Sequence, residues 1–101
     1  MPKFVIERDL PGAGDLSAEQ LRSISQKSNQ VIKDLGPEIH WLHSYVTDDK
    51  LYCVYVAPNA DIIFEHARCG GFPANKVTRV SNVIDPSTGD VAERVKIKAA
   101  I

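Results

Sequence analysis

Glu7 and His43 are the residues whose types could carry chemistry in this chain. A carboxylate and an imidazole on one partly dry face can act as base and orienter, or as two ligands for a borderline metal such as Ni²⁺ or Zn²⁺. Tyr45 and Tyr52 fall near enough by strand register to hydrogen-bond either one. The two residues come from different strands and form no local motif, so they serve as readily as a satisfied polar pair under a dimer interface.

Their placement depends on the run Ile39 to Val46, which returns after Thr47-Asp48-Asp49-Lys50 as Leu51 to Val56. Two β-prone runs around an Asp-rich turn read as a β-hairpin. With Asp48-Asp49 as a two-residue loop, Tyr45 faces Tyr52, His43 faces Val54 and Trp41 faces Val56. Period-two alternation puts these six on one face, and Leu42, Ser44, Val46, Leu51, Cys53 and Tyr55 on the other. Both faces are largely apolar, so the one away from the helices should meet a partner or enclose a pocket.

The remaining candidates are weaker. His40 is expected on the helix side at the sheet rim, and His66 in a packed or capping role on a helix. Neither has the HExxH spacing of a helical zinc site. Cys53 reads as a buried, inert thiol, and Cys69 lies at a helix C-terminus, where the dipole disfavours a thiolate. Gly70-Gly71 and Gly12-x-Gly14 read as turn glycines and not as phosphate loops.

The elements that must position these residues follow in order. Lys3 to Asp9 is a short strand with Phe4 and Ile6 to the core and Glu7 on the opposite face. Ser17-Ala18-Glu19-Gln20 is a capping box. It opens a helix striped by Leu21, Ile24, Ser28, Val31, Ile32 and Leu35, which Gly36-Pro37 ends. After the hairpin, Asn59 caps a second helix, Ala60 to Cys69, with Ile63, His66, Ala67 and Gly70 on one stripe. Lys76 to Asp85 alternates as a last strand that Asp85-Pro86 closes. The order strand, helix, strand, strand, helix, strand is the split βαβ or ferredoxin-like α+β arrangement: a four-stranded antiparallel sheet with two helices on one face. Residues 1–86 form this domain. Residues 87–101 are an extension whose Val91, Val95, Ile97 and Ile101 could form a short helix, an edge strand or a clasp on a partner subunit.

Composition limits the function. The chain has 101 residues, 44% of them apolar, which is one modest core. Its 12 basic and 13 acidic residues give a net charge of -1. With no long basic run, that argues against a nucleic-acid reader. No apolar stretch approaches the roughly 20 residues of a membrane span. Met1-Pro2-Lys3-Phe4 is no signal sequence, so a cytoplasmic protein with two free thiols, Cys53 and Cys69, is expected.

Several segments also resemble a known family. They are Val5-Ile6-Glu7-Arg8-Asp9-Leu10-Pro11-Gly12, Trp41-Leu42-His43-Ser44-Tyr45-Val46, Tyr52-Cys53-Val54-Tyr55-Val56-Ala57-Pro58, His66-Ala67-Arg68 with Gly71-Phe72-Pro73, and Val83-Ile84-Asp85-Pro86. In this order they are similar to a family of small bacterial proteins, long described as a domain of unknown function, that includes an actinobacterial nickel-binding protein. The resemblance covers residues 2–86. It implies a ferredoxin-like fold of the dimeric α/β-barrel type, a homodimer built on the open sheet face, and nickel binding in at least one member. Glu7, His43 and Tyr45 fall in the matching segments, and are the expected metal ligands. A second reading, by analogy with dimeric α/β-barrels, is a cofactor-independent enzyme, a monooxygenase, isomerase or cyclase, using His43 and Glu7 as acid and base on a small organic substrate. A cavity beside His43 would favour the enzyme, and an interface packed shut would oppose it.

Overall fold

The computed structural model describes residues 1–95, the last five by backbone alone. The chain runs β1 (Lys3–Asp9), a single 3₁₀ turn (Ala13–Asp15), α1 (Ala18–Leu35), β2 (His40–Val46), β3 (Lys50–Val56), α2 (Ala60–Gly70), β4 (Lys76–Arg79) and α3 (Pro86–Val95). The strands form one sheet in the order β2-β3-β1-β4, with every pairing antiparallel. This is the ferredoxin-like α+β fold.

The local signals act as their chemistry requires. The Ser17 hydroxyl accepts from Gln20 N at 3.1 Å while Gln20 Oε1 accepts from Ser17 N at 2.9 Å, so two orphan donors of α1 are satisfied at once. Asn59 Oδ1 accepts from Ile62 N at the start of α2. The stripe of α2 is buried as its spacing predicts: Ile63, His66, Ala67 and Gly70. Together with Phe4, Ile6, Ile39, Cys53, Tyr55 and Ala57, Ile63 makes the core, and Ile32 and Leu35 of α1 pack against it.

The two glycines after Cys69 have separate jobs. Gly71 sits at φ +70, the left-handed helix cap. A Cβ on Gly70 would clash with the edge of the Phe72 ring at Cε2 and Cδ2, because the ring folds back under the helix end. Gly70→Ala is therefore expected to lower stability by about 1–3 kcal/mol, seen as a lower urea midpoint with an unchanged m value. A midpoint equal to wild type would show that Phe72 yields freely.

Three expectations change. First, Tyr45 pairs with Tyr52 and His43 with Val54 as the hairpin predicts, but Trp41 pairs with Tyr55 and His40 with Val56. Leu42 is an extra residue, a β-bulge, and it reverses the parity of everything before it. Trp41 consequently lies on the helix side, where its indole donates to Ser44 Oγ at 2.9 Å. His40 shares the open face with Val56. Second, the last strand ends at Arg79 and not at Asp85. Val80 N donates to Lys3 O, and Lys3 is where the partner strand begins, so later alternation has nothing to pair with. Val83 and Ile84 are exposed. Third, Asp85-Pro86 starts an element instead of closing one. Asp85 Oδ1 accepts from Ser87 N at 2.9 Å, and Pro86 occupies the first turn, where its missing N–H is no loss. Between a helix and an edge strand for the extension, the chain takes a helix to Val95. The side chains of Val91 and Val95, and all of Ile97 and Ile101, lie outside what the structure describes.

Candidate functional site

The open face of the sheet is laid out in rows across the strands. One row runs Lys76, Glu7, Tyr52, Tyr45, and the next runs Thr78, Val5, Val54, His43. His43 and Tyr45 stand together, their rings edge-on with centroids 5.1 Å apart. Tyr45 is 61% exposed. Glu7 is on the same face, but β3 separates its strand from that of His43, which places the two backbones roughly 10 Å apart. Glu7 pairs instead with Lys50, at 3.7 Å, and the same Lys50 ammonium lies 3.7 Å from Asp9. The structure therefore brings His43 and Tyr45 together and leaves Glu7 two strands away.

The bulge adds a group that alternation placed elsewhere. His40 turns to the open face beside His43, so one end of β2 presents two exposed imidazoles. Among the described residues, no three or more of His, Cys, Asp and Glu converge as a metal site. The donor chemistry suits a borderline cation, but one chain supplies only part of a coordination shell.

On the other side of the sheet, a second polar group is buried where sequence reasoning marked only His66. Arg8 follows Phe4 and Ile6 on the core face and is 2% exposed. Its Nη1 donates to Pro73 O, and its guanidinium carbon lies 5.5 Å from the Phe72 ring centroid and 6.0 Å from that of Tyr55. Its Nη2 has no hydrogen-bond partner among the described residues. The fully buried His66 stacks on Phe72 at 5.5 Å, and its Nε2 shares a 3.2 Å hydrogen bond with the Ser28 hydroxyl. Burial first, and then the Arg8 charge, push the imidazole down to about 4, weakly opposed by the Ser28 backbone carbonyl. Burial likewise raises Tyr55, although Arg8 and Ser28 pull the other way. The signal for Arg8 was present in the parity of β1, where the third core-facing position is a cation.

Beside this group, between the first half of α1 and the sheet, lies a cavity of about 70 Å³. Leu21, Ile24, Trp41, Cys53 and Tyr55 are among its walls, and neither His43 nor Glu7 borders it. This cavity is not the one an acid/base pair of His43 and Glu7 would use.

Residues 4–80 match the family described as nickel responsive protein SCO4226-like. The chain belongs to that family. Among solved structures it is similar to the crystal structure of SCO4226 from Streptomyces coelicolor A3(2), with a TM-score of 0.69 at 19% identity. The superposition covers 81% of this chain and 99% of that one. At that identity the likeness establishes the shared fold. No curated protein matches the sequence. Among the described residues, no helix of this family member is long and apolar enough to cross a membrane.

Proposed function

We propose that this family member is a cytoplasmic homodimer that binds Ni²⁺ at the open sheet face, with His43 as the principal imidazole ligand and Tyr45 and Glu7 as oxygen donors. The observation that carries the reading is the exposed His43-Tyr45 pair on the sheet face opposite the core, with His40 turned to the same side. The family's description supports nickel as the metal. Ni²⁺ takes square-planar or octahedral N/O shells. Among the described residues too few donors converge, and a second copy laid against this face completes the shell. Glu7 reaches the metal from its own strand or across the interface once Lys50 releases it.

Metal-free, untagged protein titrated with Ni²⁺ and Zn²⁺ by calorimetry should bind Ni²⁺ in preference and stoichiometrically, with native mass spectrometry showing a metal-loaded dimer. His43→Ala should weaken Ni²⁺ by about tenfold or more, and Glu7→Ala and Tyr45→Phe by less. Unchanged binding in His43→Ala and Glu7→Ala would remove both from the site. Saturable binding by a monomer would remove the dimer from the proposal.

A further inference from the structure

A buried guanidinium without a carboxylate is an unusual thing for a small domain to keep. Taking a charge out of water costs several kcal/mol unless hydrogen bonds or a counter-charge replace the lost hydration. Arg8 has one hydrogen bond, to Pro73 O, and the faces of two aromatic rings. Among the described residues no acidic side chain forms an ion pair with it and Nη2 finds no partner. Arg8 is also part of the wall of the cavity under α1, together with Ser28 and the Tyr55 phenol. The Arg8 guanidinium carbon lies 6.0 Å from the Tyr55 ring centroid, and the Ser28 hydroxyl is held by His66 Nε2. Arg8 is the cationic wall, the serines Ser25, Ser28 and Ser44 and the tyrosine Tyr55 are the other polar walls, and Leu21, Ile24 and Trp41 are among the apolar ones.

We propose that the cavity between α1 and the sheet is a binding site for a small aliphatic monocarboxylate, whose carboxylate pairs with Arg8 beside Tyr55 and Ser28 and whose alkyl chain lies against Leu21, Ile24 and Trp41. The size sets the class. About 70 Å³ is several times the ~10–15 Å³ that one water needs and about half the ~150 Å³ of an apolar cavity that takes benzene. That selects an acid of roughly three to five carbons over a drug-sized ligand. Val46, 43% exposed, is the solvent-facing wall, so the ligand enters past the β2 edge. The site is on the opposite side of the sheet from His43 and is independent of the metal proposal.

The chain's single tryptophan is a wall of the cavity, so its emission reports occupancy directly. Sodium butyrate titrated into the metal-free protein at constant ionic strength should give a saturable change in Trp41 emission and a rise in melting temperature. Butyramide, of the same shape without the charge, should bind about tenfold more weakly or worse. Inorganic phosphate should leave the emission unchanged, because it cannot use the apolar walls. Arg8→Met should abolish the butyrate response. Leu21→Trp should block the cavity from the α1 side, and it keeps the test available if the Arg8 variant does not fold, with butyrate stabilisation lost as the readout. No saturable response of wild type, equal affinity for butyrate and butyramide, equal affinity for phosphate, or butyrate binding retained in a folded Arg8→Met protein would each overturn the proposal.

Discussion

Ile63→Ala should lower the stability of this domain by about 3–4 kcal/mol. Ile63 is 0% exposed and joins α2 to the core residues of the sheet. Removing three of its carbons forfeits their transfer energy and leaves a cavity that neighbours fixed by strand pairing fill only in part. Domains of this size hold about 5–15 kcal/mol in total, and the melting temperature should drop by roughly 15–25 °C. Thermal unfolding followed by far-UV circular dichroism measures it. A drop of only a few degrees would mean that α2 can settle onto the sheet, and that the core is less fixed than its packing implies.

The second large effect is a loss of stability in acid that belongs to one residue. His66 binds its proton at about 4 in the folded chain, against an ordinary 6.5. Between those values the unfolded chain takes up a proton that the folded chain refuses, so unfolding becomes more favourable as pH falls. Above pH 6.5 the group adds no pH dependence. Down to about pH 4 the loss amounts to about 3 kcal/mol, at ~1.4 kcal/mol per unit. The cause is burial against Phe72 and Tyr55, then the nearby Arg8 charge, while the Ser28 backbone carbonyl moderates both. Urea unfolding at pH 7, 6, 5 and 4 should show this decline in wild type, and His66→Gln should lack that component. Parallel pH profiles for the two proteins would assign the acid sensitivity elsewhere.

The elements were largely legible because each carries its own local signal. The capping box at Ser17, the cap at Asn59 and the apolar stripes of both helices depend on spacing within one segment, and their residues behave accordingly. Tyr45 opposite Tyr52 also followed from turn length alone. What sequence reading could not see depends on pairing. Nothing in His40-Trp41-Leu42-His43 announces an extra residue, because a bulge is a mismatch with a partner strand and not a property of its own sequence. Val80 to Asp85 alternates as a strand does, yet the strand beside it ends at Lys3. The candidate site divides in the same way. His43 and Tyr45 share one strand and came out together, whereas the distance to Glu7 depends on strand order, which puts β3 between them. Arg8 was overlooked for a different reason. Alternation places it on the core face, but a cation is not sought there, and its aromatic neighbours come from β3 and from the turn after α2.

The bulge at Leu42 also bears on how the protein avoids the wrong kind of self-association. β2 is at the edge of the sheet, and its sequence His40 to Val46 contains no Asp, Glu, Lys or Arg. A flat edge of that composition is a template on which another strand can add, the first step toward fibrils. The extra residue breaks the even spacing of N–H and C=O groups along the outer side and increases the local twist. An incoming strand would meet a broken ladder, so the edge is guarded by geometry where natural sheets often use charge.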